Sequence, residues 1–345
     1  MSLASLVAEY VPAVDAEMRA VLDGRPERMD LFRYLEYHLG WVDKGFRPLD
    51  SEAMRRYGGK RLRPILCLLA CRSRREDWAR ALPAAAAVEL IQNFTLIHDD
   101  VEDNDPERRH RPTLWKVWGV PQAINAGSCM QALVNTAALR LVDRRVDPAR
   151  VLESVRILTD TIVELTEGQH LDISYEGRFD VTVADYFAMT TRKTGALCEA
   201  ATWLGALLAT DDADTIAAWR QVGRAFGLAF QARDDILGIW APSGETGKVE
   251  AGDVLKRKKS LPIVYALSHG PETARRAIIE VFSASEIGPT DVERVVAALD
   301  GCGAQAYCRG VVEEHAGRAL AALERLPAGP AVAEARGLVE LVATG

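Results

Sequence analysis

Apolar residues return at three- and four-residue intervals in segment after segment of this chain, carried by Ala and Leu with Glu and Arg between them, and alternating strand patterns are hard to find. Those residue types at that spacing select helices and leave an all-α fold. Long helices are expected over Ser2–Leu22, Leu31–Trp41, Pro64–Cys71, Pro83–Asp103, Pro121–Val142, Pro148–Gln169, Val183–Ala209 and Asp214–Gly238, with a last helical group from Leu261 to Gly345. The breaks fall where turn chemistry puts them, at Gly58-Gly59, Asn104-Asp105-Pro106, Gly119, Asp147-Pro148, Gly177, Pro242–Gly252, Gly270-Pro271, Gly288-Pro289 and Pro327–Pro330. None is long enough to act as a flexible linker, so residues 1–345 are expected to close as a single domain.

Charge excludes little. The chain carries 42 Lys+Arg against 49 Asp+Glu, a net charge of −7 spread along its length, which gives no overall pull towards nucleic acid but leaves room for local basic clusters. Its longest apolar run, Ala81–Ile91, is interrupted by Glu89 and falls short of the roughly 18 to 20 residues a membrane span needs. The first residues lack the basic start and long apolar core of a signal peptide, so the cytoplasm is the expected compartment. Six scattered cysteines without paired spacing read as reduced and mostly buried, and six dispersed histidines offer no zinc motif.

Two helix ends carry the chemistry. The apolar helix that ends in Phe94-Thr95-Leu96-Ile97-His98-Asp99-Asp100-Val101-Glu102-Asp103 places four acids in five positions, and Asp99 and Asp103, four apart, share a face. Asn104 and Pro106 stop the helix there, so the acids sit where the macrodipole is already negative, which costs stability unless a cation offsets it. The pattern returns at Gln231-Ala232-Arg233-Asp234-Asp235-Ile236-Leu237, with Gly238 as the expected stop. One acidic doublet alone reads as a solvated helix end; its repetition points to a site. Carboxylates without nearby His or Cys suit a hard cation, and Mg²⁺ in particular keeps waters and takes substrate phosphates as its remaining ligands.

Cations stand where phosphates would need them. Gly58-Gly59-Lys60-Arg61-Leu62-Arg63-Pro64 joins a flexible turn, three cations and a Pro near a helix start, whose free N–H groups also attract anions. Arg108-Arg109 follows the first acidic cluster by one short turn, in reach of a second diphosphate. Lys193-Thr194, Lys248 and Lys256-Arg257-Lys258-Lys259 add more. Each of these alone reads as a solvated surface charge, and only their company changes that.

Together these residues resemble one family. Gly58–Pro64 is similar to a GGKRxRP motif, Asp99–Asp103 to the first DDxxD, Gly168-Gln169 with Asp172 to GQxxD, Lys193-Thr194 to KT, and Phe230-Gln231 with Asp234-Asp235 to FQxxDD. Thr246-Gly247-Lys248 and Lys258-Lys259-Ser260-Leu261-Pro262 resemble the loop that follows. These are the motifs of the trans-isoprenyl diphosphate synthases, the polyprenyl synthetase family, and they run in order from Gly58 to Leu267.

The resemblance implies a helical bundle of the isoprenoid synthase type around a central cavity. It implies that Asp99 and Asp103 bind two Mg²⁺ and Asp234 a third, all bridging an allylic diphosphate surrounded by Arg108, Lys193, Thr194, Gln231, Lys248 and Lys258. Lys193 and Lys258 count with the three aspartates among the catalytic groups, and Asp235 as a supporting residue. Lys60, Arg63, Gln92 and Arg109 would hold the diphosphate of isopentenyl diphosphate. The implied reaction is a 1′-4 condensation to a short all-trans prenyl diphosphate, C20 first and C15 next, by a homodimer.

Two positions depart from the family. Gly238 stands where the second motif usually ends in a third Asp, and Ser128 where the family often has Asp, so lowered metal affinity is expected, not inactivity. Phe94 lies five residues before Asp99, a little over one helical turn of about 5.4 Å, and reads either as a floor under the growing chain or as a core aromatic. A class I terpene cyclase would need no second diphosphate site, against which Lys60, Arg63 and Arg109 speak. A weakly active or regulatory subunit of a prenyl synthase is kept alive by Ser128 and Gly238.

Overall fold

The computed structural model describes residues 3–24, 29–241 and 251–344. In chain order its helices are α1 (Leu3–Asp23), α2 (Asp30–His38), α3 (Ser51–Gly58), α4 (Leu62–Arg72), α5 (Leu82–Glu102), α6 (Leu114–Trp118), α7 (Val120–Leu139), α8 (Pro148–Tyr175) and α9 (Val183–Thr190). They continue as α10 (Ala196–Leu207), α11 (Ala213–Trp240), α12 (Gly252–Leu255), α13 (Leu261–His269), α14 (Glu272–Ser283), α15 (Pro289–Gly301), α16 (Ala304–Glu324) and α17 (Pro330–Thr344). Among the described residues the only strands are β1 (Glu107–Arg108) and β2 (Arg111–Pro112), one short antiparallel hairpin. The all-α reading therefore holds.

Several boundaries differ from those expected. The helix expected over Val183–Ala209 is interrupted by a π-helical turn, Thr191–Gly195. Gly238 does not stop α11, which runs on to Trp240; a helical glycine costs about 1 kcal/mol relative to Ala, which packing easily outweighs. The short α3 and α6 are too brief to leave a periodic pattern.

The chain divides into two compact units. Unit 1 is Met1–Ile162, Ala200–Arg220 and Leu326–Gly337; unit 2 is Val163–Glu199, Gln221–Arg325 and Leu338–Gly345. In unit 1, Leu6, Tyr10, Val14, Met18 and Leu22 line one stripe of α1 and are all buried. Alanines on α5 (Ala84–Ala87) and α7 (Ala123, Ala126, Ala137) are buried too, and such small side chains let helices approach closely. At Gly127 of α7 a Cβ would stand 2.2 Å from His98 Nε2, so glycine is required for the α5 imidazole to fit. Gly205 of α10 lies against the Cys67 carbonyl of α4 in the same way, with 2.0 Å left for a Cβ.

Unit 2 holds two apolar clusters. Ile239, Val254, Ile263, Leu267, Ile278, Val281, Phe282, Val295 and Leu299 form one, and Tyr175, Val181, Tyr186, Met189, Leu261, Val264 and Cys308 belong to the other. The start of α9 is fixed by a capping box, with Thr182 accepting from Asp185 N–H and the Asp185 carboxylate accepting from Thr182 N–H. All six cysteines are free thiols, four of them buried. Among the described residues no helix is long and apolar enough to cross a membrane.

Candidate active site

In unit 1 the first acidic cluster separates into different roles. Asp99 and Asp103 are both partly exposed, one turn apart at the end of α5, where Asp103 caps the helix and its N–H reaches the Asp99 carbonyl at 2.8 Å. Asp100 turns inward, 2% exposed, and accepts from Arg108 Nε at 2.6 Å. Burial pushes its carboxyl up to about 6 against the pull of the Arg108 charge. Asp100 thus fixes the guanidinium of the hairpin that follows.

That hairpin pairs Arg108 with Arg111, so its two loop residues are Arg109 and His110, with φ of 51° and 61°. A two-residue hairpin of the type I′ kind demands positive φ at both, normally supplied by Asn or Gly. The turn sends Arg109 back to α3, where its Nη1 donates to the Tyr57 and Gly58 carbonyls at 3.0 Å each. Gly59 has φ 82°, and a Cβ there would lie 2.8 Å from Arg109 Nη2. The glycine before Lys60 is therefore what admits Arg109. Burial first, then neighbouring Arg61, lowers the Arg109 pKa to about 10, which still leaves it charged at neutral pH.

The three cations of the glycine-rich segment also part company. Lys60 is exposed and Arg63 partly exposed at the start of α4. Arg61, in the left-handed region at φ 49° and 3% exposed, is an internal strut. It meets Glu89 at 2.6 Å, Asp15 at 3.3 Å and the Leu39 carbonyl at 3.2 Å. Glu89 accepts in addition from Asn93 Nδ2 at 2.7 Å. Gln92 is partly exposed on α5, and Phe94 is buried at 4%, its ring edge-on to His98 with centroids 6.0 Å apart.

In unit 2, Lys193 and Thr194 both lie in the π-helical turn, a local form found often at functional sites. Lys193 Nζ donates to Asp172 Oδ2 at 2.5 Å. One turn earlier on α8, a Cβ at Gly168 would stand 2.4 Å from the Lys193 nitrogen. The glycine and acid of the GQxxD pattern therefore seat one residue of the turn, backbone and side chain.

Thr194 and Gln231 meet each other: the hydroxyl donates to Gln231 Oε1 at 2.9 Å, and Gln231 Nε2 donates to Asp235 Oδ1 at 2.8 Å. Asp235 Oδ2 accepts from the Tyr186 hydroxyl at 2.6 Å and from Leu261 N–H at 2.8 Å. Burial first, then nearby Asp253, pushes the Asp235 carboxyl up to about 7, while its three donors act the other way. Asp234 is partly exposed on the same helix. At Gly238 a Cβ would lie 2.4 Å from Asp253 Oδ2, so a carboxylate from α12 fills the space beside the position where the family's third acid was expected.

The basic run divides as well. Lys256 and Lys258 are exposed, whereas Arg257 donates to the Ala284 carbonyl at 2.8 Å. Lys259 is buried, donating to the Glu176 carbonyl at 2.6 Å over the rings of Phe179 and Phe282, and burial lowers its pKa to about 8. Lys248, with Thr246 and Gly247, lies outside the described residues. Tyr186, Glu89, Asn93 and Asp253 belong to no motif, and no spacing in the sequence announces them.

Among the described residues no group of three or more His, Cys, Asp or Glu side chains is placed to hold a metal ion. The donor chemistry of Asp99, Asp103 and Asp234 nevertheless fits Mg²⁺, which takes one or two carboxylates beside waters and substrate phosphates. An almost wholly helical chain, with one aspartate pair at the end of α5 and another within the last turns of α11, belongs to the class of all-α isoprenoid synthase folds.

The polyprenyl synthetase family model matches residues 51–299. A geranylgeranyl diphosphate synthase of Mycobacterium tuberculosis is 38% identical over 83% of this chain and 79% of its own, and a (2E,6E)-farnesyl diphosphate synthase of Mycobacterium bovis is 38% identical over 78% and 73%. The crystal structure of a polyprenyl synthetase from Streptomyces coelicolor superposes with a TM-score of 0.90 at 32% identity, covering 99% of this chain and 100% of that one. The chain belongs to the polyprenyl synthetase family and is a trans-prenyltransferase. The family is generally Mg-dependent.

Proposed function

We propose that the protein, acting as one domain over residues 1–345, condenses isopentenyl diphosphate with an allylic diphosphate, head to tail, to a C20 or C15 all-trans prenyl diphosphate. The observation that carries this reading is the pairing of two acidic clusters, one at the end of α5 and one in the last turns of α11, with two sets of cations, in the family's order, within one chain. Relatives named for C20 and for C15 products match at the same 38% identity, which supports both lengths.

Asp99, Asp103 and Asp234 would hold Mg²⁺, three ions in this reading. Bound Mg²⁺ supplies charge neutralisation that turns the allylic diphosphate into a leaving group. Arg108, Lys193, Thr194, Gln231, Lys248 and Lys258 hold that diphosphate, and the charged members stabilise it further as its C–O bond breaks. Exposed Lys60, with Arg63, Gln92 and Arg109, orients isopentenyl diphosphate so that its double bond attacks the allylic carbon. The released diphosphate takes the proton lost at the end, so no side chain is assigned as base. Thr194 and Gln231 are engaged with each other, so their contribution is to shape as much as to contact.

Mass spectrometry of products formed from isopentenyl diphosphate with C5, C10 or C15 allylic diphosphates and Mg²⁺ tests the reading. A C20 or C15 diphosphate is expected. A hydrocarbon from the allylic substrate alone would assign the chain to cyclisation, and no turnover with any primer would assign it to a partner subunit.

Buried Phe94 is proposed as the floor of the chain-length cavity. Phe94→Ala is expected to lengthen the product by at least one C5 unit in the same assay; products no longer than wild type would make Phe94 a core aromatic only. Homodimerisation is proposed, with exposed large apolar side chains of unit 1 to be covered by the second copy: Ile124, Leu139, Val142 and Leu152 are 47%, 54%, 57% and 69% exposed. Light scattering at assay concentration should return twice the 37.8 kDa chain mass, and a monomer mass would remove the dimer.

A further inference from the structure

Four side chains of unit 2 are joined end to end: Thr194 to Gln231, Gln231 to Asp235, and Asp235 to Tyr186. They come from three elements, the π-helical turn, α11 and α9. A fourth element enters through the backbone, because Asp235 also takes the N–H of Leu261, the first residue of α13. The first N–H groups of any helix lack partners within it. Ser260, at the N-cap, makes no capping bond with its side chain, so Asp235 does from α11 what a local cap would otherwise do.

Thr194 and Gln231 are themselves assigned above to the allylic diphosphate, and the other contacts lead to neighbours of such residues. Thr194 follows Lys193, Asp235 follows Asp234, and Leu261 comes three residues after Lys258. Asp235 and Tyr186 are 5% and 2% exposed, so neither can exchange its protein partner for bulk water. A buried carboxylate that loses one of its donors keeps its desolvation cost, which holds the arrangement to one geometry. The Gln231 amide is oriented by the same bonds, oxygen to Thr194 and nitrogen to Asp235.

We infer that Tyr186 is a positioning residue of the transferase: its phenol anchors Asp235, and through Asp235 it sets where the Lys193 turn and the Lys258 segment stand. The inference rests on the reading of Lys193 and Lys258 given above. It predicts an effect on one substrate only, since the groups assigned to isopentenyl diphosphate, Lys60, Arg63, Gln92 and Arg109, all belong to unit 1.

Tyr186→Phe keeps the buried ring and removes the hydroxyl. KM for the allylic diphosphate should rise about tenfold, the size of one lost charge-assisted hydrogen bond, with KM for isopentenyl diphosphate unchanged within about twofold. Amide exchange measured by mass spectrometry on the metal-free protein should accelerate in the peptide containing Leu261 and leave α14 unaffected. Wild-type KM values and exchange rates would overturn the inference. So would a lowered melting temperature with both KM values unchanged, which is the mark of packing alone. Should Tyr186→Phe fail to fold, Asp235→Asn, which replaces an acceptor by a donor, is read by the same two measurements and against the same outcomes. If wild-type protein condenses no prenyl diphosphate, the functional reading fails while the exchange measurement still decides whether Tyr186 holds the Leu261 segment.

Discussion

Asp99→Ala is expected to lower turnover about 1,000-fold at saturating Mg²⁺, equivalent to roughly 4 kcal/mol of transition-state stabilisation. Asp99 and Asp103 are the partly exposed pair at the end of α5, whereas Asp100 beside them is committed to Arg108. Asp100→Asn should therefore behave differently, acting through the hairpin that carries Arg108. Steady-state kinetics with purified protein, run beside a thermal melt that separates lost chemistry from lost fold, provide the check. Full turnover in Asp99→Ala would remove the metal assignment altogether.

Arg61→Met is expected to cost about 3–5 kcal/mol of stability, the largest effect of a single change outside the acidic pairs. Its guanidinium is inside unit 1 between Glu89 and Asp15, and removing it leaves the buried Glu89 carboxylate without its counter-charge. Replacing both partners, Arg61→Met with Glu89→Leu, should recover part of the loss, because the apolar pair carries no desolvation cost while Asp15 still loses its cation. Urea unfolding of the two variants beside wild type measures this. Equal stability of Arg61→Met and wild type would show that the ion pair contributes nothing. The middle residue of GGKRxRP would then have no structural explanation.

The contrast between Arg61 and its neighbours shows what a sequence can and cannot disclose. Helical period and turn chemistry were enough for the all-α fold and for the breaks near Gly58, Asn104 and Gly119, since both signals are local. The family resemblance named Asp99, Asp103 and Asp234 as metal ligands, and the structure leaves all three partly exposed. Motif spacing could not tell which of three adjacent cations faces inward, because that depends on Glu89 and Asp15, far away in the chain. Lys259 is the same case, one of four successive cations counted towards a phosphate site and placed instead against two aromatic rings. The π-helical turn at Lys193 was invisible because the local composition stays helical, and a change from i→i+4 to i→i+5 bonding leaves no mark on it. Tyr186 carries no signal of its own: a tyrosine on an apolar helix face reads as core, and only the fold puts an aspartate against its hydroxyl.

Gly238 has a bearing on how this chain could change over time. An aspartate restored there would meet the Asp253 carboxylate at once, since the Cβ alone would come within 2.4 Å of it. Two like charges would then share one space, each raising the cost of the other. The two positions are thus coupled: the substitution that brings the chain closer to its family's pattern requires the Asp253 side chain to turn away or be exchanged. The family's pattern by itself would rank Gly238→Asp as a safe change, and the Asp253 carboxylate beside it argues against that.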